Sequence, residues 1–130
     1  MKLDVRCSKY NEKKSSLFEL VPDGGNWRNI PWEIVEDYMP KGACETGGRC
    51  GVLKRIGWDV PSMTILTSPQ QKLTERCHPS KIRPLNITEY LLLQGFPVDF
   101  KCTGSKTANY RIIANAVPPQ MAERIGECLY

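Results

Sequence analysis

Apolar residues concentrate in one short stretch, residues 90–93, which lies between clear helix start and stop signals. Asn86 is a favoured N-cap residue, and Glu89 three positions later completes a capping-box pattern. Gly95 suits the position just after a helix, and Pro97 prevents the helix from continuing. Because residues 90–93 are apolar on nearly every side, the sequence predicts a short helix that is buried against other elements.

Weaker patterns predict three more helices. Residues 15–21 are sufficient for one or two helical turns, and Pro31 suits the first position of a helix over residues 31–39. Residues 119–130 begin with proline and continue with an amphipathic pattern. The apolar face of this C-terminal helix carries Met121, Ala122, Ile125 and Leu129.

Strand-forming residues precede the central helix. Residues 3–6 favour a short strand, and the segment 42–67 combines glycines with β-prone runs at residues 52–53 and 63–67. The sequence therefore predicts an α+β fold, with a small, irregular β-rich unit followed by helices.

The composition is that of an ordinary soluble domain, with 130 residues of which 41% are hydrophobic and 25% charged. No apolar run approaches the roughly 20 residues needed to span a bilayer, and the first residues lack a signal-peptide core. We therefore expect a cytoplasmic protein without a membrane segment. Its six cysteines are expected to be reduced thiols. Because the chain has no Cys-x-x-Cys and no zinc-like spacing around its single histidine, we expect no metal site.

The net charge of +4 is unevenly distributed. Residues 41–83 contain eight basic and three acidic residues, a local charge of +5, so the remainder carries −1. A basic segment in a nearly neutral chain is typical of contacts with a phosphate backbone. The alternative is an ordinary solvated basic surface.

The same segment interleaves cations, hydroxyl groups and an amide, the side chains that hold phosphates and contact base edges. The alternative is a β-hairpin whose solvent face carries polar residues without binding DNA. The candidate DNA-binding residues are Arg49, Lys54, Arg55, Trp58, Thr64, Thr67, Ser68, Gln70 and Lys72.

Two phrases near the C-terminus resemble a known family. Residues 83–85 (Arg-Pro-Leu), Glu89 and residues 93–97 (Leu-Gln-Gly-Phe-Pro) are similar to a motif near the C-terminal end of bacterial DNA (cytosine-5) methyltransferases. Residues 115–119 (Asn-Ala-Val-Pro-Pro) resemble the last motif of that family. Residues 55–67 also look like the latter part of a target recognition domain, in which the counterpart of Thr64 lies near the DNA backbone.

The resemblance implies a division of the chain at residue 85. Residues 1–85 would form a target recognition region that contacts double-stranded DNA. Residues 86–130 would form a C-terminal helical segment that docks on a Rossmann-like catalytic domain, which this chain lacks. In related enzymes the turn at Asn115, Ala116 and Val117 holds the amino-acid end of S-adenosylmethionine. The alternative for Asn115 is a structural turn residue, of a type that tolerates the left-handed conformation.

The sequence departs from the family at two positions and lacks three motifs. Thr88 replaces an arginine, which puts an ion pair in doubt, and Ala114 replaces a glycine, which restricts the backbone before Asn115. The chain has no Phe-x-Gly-x-Gly, no Pro-Cys nucleophile and no Glu-Asn-Val acid. The family adds a cysteine thiolate to a flipped-out cytosine before methyl transfer. We therefore assign no catalytic residue here.

The resemblance thus predicts the recognition and C-terminal part of a restriction-modification methyltransferase, which is active only with a catalytic N-terminal subunit or domain. A non-catalytic DNA-binding or interaction protein derived from such an enzyme is the alternative. Without a partner domain, the chain is expected to expose an apolar patch and to self-associate. The expected patch comprises Leu91, Leu92, Leu93, Ile112, Ile113 and Val117.

Overall fold

The structure is a computed structural model that describes residues 5–39 and 50–129. The chain forms helices α1 (Glu12–Glu19), α2 (Trp32–Val35), α3 (Ile87–Leu93), α4 (Lys106–Asn115) and α5 (Pro119–Glu127), with a 3₁₀ turn at Trp27–Asn29 before α2. Within the described residues, no helix is long and apolar enough to cross a membrane.

The two N-terminal helices exist but differ in extent from the prediction. α1 begins at Glu12 rather than residue 15 because the Asn11 side chain caps it, accepting from the backbone N–H of Lys14 at 2.9 Å. α2 ends at Val35, and irregular turns follow where the sequence predicts helix to residue 39. Residues 5–6 form no strand, and residues 3–4 lie outside the described ranges.

The predicted central helix is confirmed as α3. Asn86 and Glu89 form both hydrogen bonds of the capping box, at 2.8 and 2.7 Å, and Gly95 has a φ of +76°. Its burial is incomplete within the described chain: Tyr90 is fully buried, but Leu92 is 51% exposed, as expected for a chain without its partner domain. The two exposed leucines of this helix, Leu92 and Leu93, face outward because no element of the described chain covers them.

Helix α4 is absent from the sequence prediction. Ser105 caps its N-terminus, and Tyr110 and Ile113 bury one side of it against α3. The Tyr110 hydroxyl donates to the Leu85 carbonyl at 2.6 Å, which holds α4 beside the start of α3. Asn115 is the last residue of α4, and its backbone is not left-handed.

The prediction of a β-rich unit is wrong for the described residues, which contain only isolated bridges from Cys77 to Arg55 and to Pro84. Side chains take the place of strand partners here: Arg76 donates to the carbonyl of Thr64 at 2.9 Å, for example. Prolines at four positions between residues 61 and 84 also interrupt pairing. Residues 50–84, which we call the loop region, are therefore irregular and are held by hydrogen bonds from side chains. Residues 42–49 lie outside the described ranges.

The core consists of two clusters. The first joins α1, the 3₁₀ turn and α2 to the start of the loop region, around Phe18, Val35, Val52 and Leu53. The second joins α3 and α4 to the loop region, around Ile65, Leu85, Ile87, Tyr90 and Ile113. The loop region therefore contributes to both clusters and is anchored from both sides.

Candidate DNA and cofactor site

Side chains from other parts of the chain hold the loop over residues 62–70 by donating hydrogen bonds to its backbone carbonyls. The Thr64 carbonyl accepts from Nη2 of buried Arg76 at 2.9 Å, and the Leu66 carbonyl accepts from the Tyr90 hydroxyl at 3.1 Å. Tyr90 belongs to α3, so the central helix fixes this loop directly. Because the anchors act on the backbone, the side chains of Thr64, Leu66 and Thr67 stay exposed, whereas Ile65 is buried.

A buried charge cluster supports the end of the same loop. Lys14 Nζ donates to the Gln70 carbonyl at 2.6 Å and pairs with Glu75 at 2.7 Å. The Glu75 carboxylate also accepts from the Tyr38 hydroxyl and the Leu53 N–H. Burial raises the pKa of Glu75 more than these three donors lower it. The cluster joins α1 and residues 38, 53 and 70 in one network.

The predicted DNA-binding residues fall into two groups. Side chains of the first group point to solvent: Trp58, Thr64, Thr67 and Gln70 are exposed, and Ser68 is half-buried. All five lie between residues 58 and 70, and all except Trp58 belong to the anchored loop. Arg49 lies outside the described residues.

The second group consists of three cations that have partners within the chain. Lys54 Nζ donates to the Gly24 carbonyl, and Arg55 Nη2 donates to a carbonyl of α1 at 2.7 Å. Lys72 Nζ lies 4.8 Å from the centre of the Tyr38 ring. All three are half-buried, so they hold the fold in addition to any contact with phosphate.

Trp58 stands at the rim of an apolar cleft of about 440 Å³. Its Nε1 donates to Ser80 Oγ at 2.9 Å, and its ring meets His78 edge-on, with ring centres 5.8 Å apart. The cleft runs to the exposed side of α3, including Leu92 and Leu93. An exposed indole is thus fixed in one orientation.

An ion pair stabilises the N-terminus of α3 beside this cleft. Both Nη atoms of Arg83 donate to the Glu89 carboxylate, at 2.8 and 2.7 Å. Burial would raise the pKa of Glu89, but the Arg83 hydrogen bonds, the Asn86 N–H and the Arg83 charge outweigh it and lower the pKa. Burial lowers the pKa of His78, whose Nε2 lies 3.7 Å from Glu89. The Arg83–Glu89 pair therefore ties residue 83 to the first turn of α3, and the neighbouring Thr88 is buried.

The predicted cofactor residues form the turn between α4 and α5. The Asn115 side chain is exposed at the end of α4, and the Ala116 N–H is bonded to the Ile113 carbonyl at 3.2 Å. Since Ala114 lies inside α4, its restricted backbone is compatible with this turn. A second cavity, of about 450 Å³, is lined by Thr64 and Ala116 together. The structure thus brings a DNA candidate and a cofactor candidate to one cavity.

Several residues of this site escaped the sequence analysis. Gln94 donates from Nε2 to the carbonyls of Ile113 and Ala116, at 3.1 and 2.8 Å, and Arg76 and Tyr90 anchor the loop. Gln94 lies within the motif at residues 93–97, but its partners are 19 and 22 positions away, so the motif alone does not reveal them. Among the described residues no cluster of ligands suits a metal ion.

Exposed apolar side chains of α3, of the turn after α4 and of α5 include Leu92, Leu93 and Met121, which line the cavities, and we call this set the apolar face. Its members are Leu92, Leu93, Val117, Met121, Ile125 and Leu129, all exposed. Helix α5 has no buried side chain in the described structure. Of the patch expected from the sequence, Leu92, Leu93, Ile112 and Val117 are exposed, whereas the placement of Leu91 and Ile113 in it is wrong because both are buried.

Comparisons with known proteins agree on one family. The C-5 cytosine-specific DNA methylase family matches residues 8–130. Type II methyltransferase M.Sau96I of Staphylococcus aureus is 45% identical over 95% of this chain, but the match covers 29% of that relative. Type II methyltransferase M.PspPI of a Psychrobacter species is 44% identical over 92% of this chain, again covering 29% of the relative.

Type II methyltransferase M.Eco47II of Escherichia coli is 41% identical over 92% of this chain and 28% of its own length. The chain thus spans less than a third of the length of these relatives. The family match covers nearly all of the chain, including α3, the turn at Asn115 and α5. The chain therefore belongs to the C-5 cytosine-specific DNA methylase family.

Proposed function

We propose that this chain is the DNA-recognition and C-terminal part of a C5-cytosine methyltransferase of the restriction-modification type. The observation that carries the proposal is the apolar face, which lies beside the turn at Asn115 and is covered by nothing in the described chain. An exposed apolar surface of this kind marks a place for a partner. The partner is the catalytic part, which holds the Pro-Cys nucleophile that this sequence lacks.

In this proposal residues 1–85 form the recognition region and residues 86–130 complete the catalytic domain. Trp58, Thr64, Thr67 and Gln70 face the DNA, since they are exposed around one anchored loop. Ser68, Lys72 and Arg49 add contacts to the backbone of double-stranded DNA. Lys54 and Arg55 act mainly by holding the recognition region together, because their donors are bonded to carbonyls.

The turn at Asn115 forms one wall of the S-adenosylmethionine pocket. The exposed Asn115 amide suits the ammonium and carboxylate groups at the amino-acid end of this cofactor, which supplies the methyl group of the reaction. Because the Ala116 N–H is already bonded within the turn, Ala116 contributes with Val117 to the shape of the pocket wall. The adjoining cavity also contains Thr64, so this chain holds the edges of the cofactor and DNA sites together.

Methyl transfer then requires both parts. The catalytic part supplies the thiolate that attacks the flipped-out cytosine, whereas this chain binds the surrounding duplex and closes the cofactor pocket. A non-catalytic DNA-binding or interaction protein derived from such an enzyme is the alternative. The uncovered apolar face argues against a self-sufficient DNA-binding protein, which would cover these side chains. Methyl transfer restored on mixing with the catalytic part separates the enzyme part from an interaction protein.

Assembly tests this proposal. M.Sau96I without the region similar to this chain would be mixed with the chain, and sedimentation would measure the complex. We expect a one-to-one complex, and Leu93→Glu on the apolar face should abolish it. As a positive control, the missing region of M.Sau96I itself would be supplied as a separate chain. If that region assembles and this chain does not, the proposed docking is wrong.

A further inference from the structure

The side chain of Gln94 links the end of α3 to the turn that carries Asn115. Its Nε2 donates to the carbonyl of Ile113 at 3.1 Å and to that of Ala116 at 2.8 Å. Because both partners are carbonyl oxygens, only the NH₂ group of the amide can face them, and its orientation follows from chemistry alone. Asn115 lies between the two bonded carbonyls along the chain.

These bonds act where the backbone leaves helical geometry. Asn115 is the last residue of α4, and Ala116 turns to an extended conformation with φ −73° and ψ 145°. The Ile113 carbonyl accepts one bond within the turn, from the Ala116 N–H, whereas carbonyls at a helix end commonly need further donors from outside the helix. Gln94 supplies such a donor on both sides of Asn115. The backbone on both sides of Asn115 is thereby tied to α3.

A second amide fixes the other side of the same junction. Gln120 of α5 donates from Nε2 to the Gly95 carbonyl at 2.9 Å. This bond joins α5 to the end of α3 but does not contact the Asn115 turn. Gln94 and Gln120 carry the same amide group at one junction, but Gln94 is part-buried and donates to two carbonyls, whereas Gln120 is exposed and donates to one. Only Gln94 acts on the turn.

We propose that Gln94 is a positioning residue for cofactor binding, which holds the Asn115 amide in the direction that S-adenosylmethionine requires. The inference rests on the proposed function of the turn. Gln94 also lines the cavity that Thr64 and Ala116 share, but its Nε2 donates to the carbonyls of Ile113 and Ala116, and it acts through them. A turn ordered in advance lowers the entropy cost of binding. Loss of Gln94 therefore weakens cofactor affinity more than it slows methyl transfer at saturating cofactor.

The test uses the chain assembled with the catalytic part. Calorimetry would measure the Kd of S-adenosylmethionine, and kinetics would separate KM from kcat. Gln94→Met keeps side-chain length and removes both hydrogen bonds, and we expect the Kd and the cofactor KM to rise about 10-fold. The kcat should stay within about twofold. Gln120→Met, the matched control, should leave the cofactor Kd unchanged.

A second variant gives a signature that simple loss of stability does not. In Gln94→Glu a carboxylate faces two carbonyl oxygens and repels them, so cofactor affinity should fall at pH 8. At pH 5.5 a larger fraction of the introduced carboxyl group is protonated, and its O–H donates one hydrogen bond to a carbonyl. Affinity relative to the parent enzyme, measured at each pH, should therefore recover on acidification.

The outcomes separate the two proposals. If Asn115→Ala weakens cofactor binding but Gln94→Met and Gln94→Glu do not, the positioning role of Gln94 is wrong and the cofactor site stands. If Gln94→Met and Gln120→Met weaken binding equally, Gln94 only stabilises the junction. If Asn115→Ala has no effect on an assembled enzyme that binds cofactor, the assignment of the turn is itself wrong.

Discussion

The ion pair at the start of α3 leads to a quantitative prediction for Glu89→Gln. The carboxylate accepts two hydrogen bonds from Arg83 and one from the Asn86 N–H. An amide has only one acceptor oxygen, so its NH₂ must face one of these donors. A hydrogen bond to a charged group contributes about 1.5–3 kcal/mol. Because the two side chains are about a quarter exposed, we expect a loss near the lower end, about 1–2 kcal/mol.

Arg124 and Glu127 provide a matched control. Their N···O distance of 2.7 Å equals that of the Arg83–Glu89 pair, but the side chains are 79% and 54% exposed. Exposed pairs are screened by water and contribute little. Glu127→Gln should therefore lower the free energy of unfolding by less than about 0.5 kcal/mol. Urea unfolding at one fixed protein concentration would compare both variants with the parent.

The direction of the pKa shift of Glu89 determines how the stability difference between parent and variant changes with pH. Because the folded-state pKa of Glu89 lies below its ordinary value of 4.5, its stabilisation is complete above that value and is lost as the pH falls through the lower folded-state pKa. In a His78→Gln background, which removes the imidazole 3.7 Å from Glu89, the effect of Glu89→Gln should thus be constant from pH 7 to about 5.5 and shrink below pH 4.5. An equal difference at pH 7 and pH 3 would refute the reasoning.

Three further predictions concern backbone, association and DNA. Gly95→Ala should lower the melting temperature by several degrees, since φ is +76° and a Cβ there would lie 2.1 Å from Gln120 Oε1. In light scattering the isolated chain should exceed monomer size and bind a hydrophobic dye, and Leu93→Ser should reduce both signals. Binding of the assembled enzyme to duplex DNA should weaken steeply with salt; Lys72→Ala should weaken it further, whereas Lys54→Ala should mainly lower stability.

The central helix was predictable because its end signals are local. Asn86, Glu89 and Gly95 act within a few positions of one another, and the structure contains each predicted interaction. Its burial was not predictable to the same extent. Leu92 and Leu93 are exposed because burial depends on what covers a surface, and a run of leucines does not specify the partner.

The loop region shows the opposite case, in which local propensity loses to distant side chains. Residues 63–67 are β-prone, but Arg76 and Tyr90 bond the carbonyls of Thr64 and Leu66, where a strand partner would otherwise bond. Gln94 likewise reaches carbonyls 19 and 22 residues away. Bonds from a side chain to a distant backbone leave no period in the sequence, so only the structure reveals them.

The α4 helix was missed for a related reason. Lys106–Asn115 mixes polar residues among its apolar ones, and its buried side consists of only Asn109, Tyr110 and Ile113. Such a narrow apolar side gives a weak helical pattern. The packing of Tyr110 against the start of α3, with ring centres of Tyr90 and Tyr110 4.8 Å apart, stabilises the helix instead.

Methyl transfer to cytosine C5 in duplex DNA tests the central claim most directly. Radiolabelled S-adenosylmethionine and substrate DNA would be incubated with this chain, with the M.Sau96I catalytic part, and with both together. We predict label in cytosine C5 only when both parts are present, and a strong decrease with Asn115→Ala. Methylation by this chain alone, or an inactive mixture under conditions in which the region of M.Sau96I itself restores activity, would contradict the account.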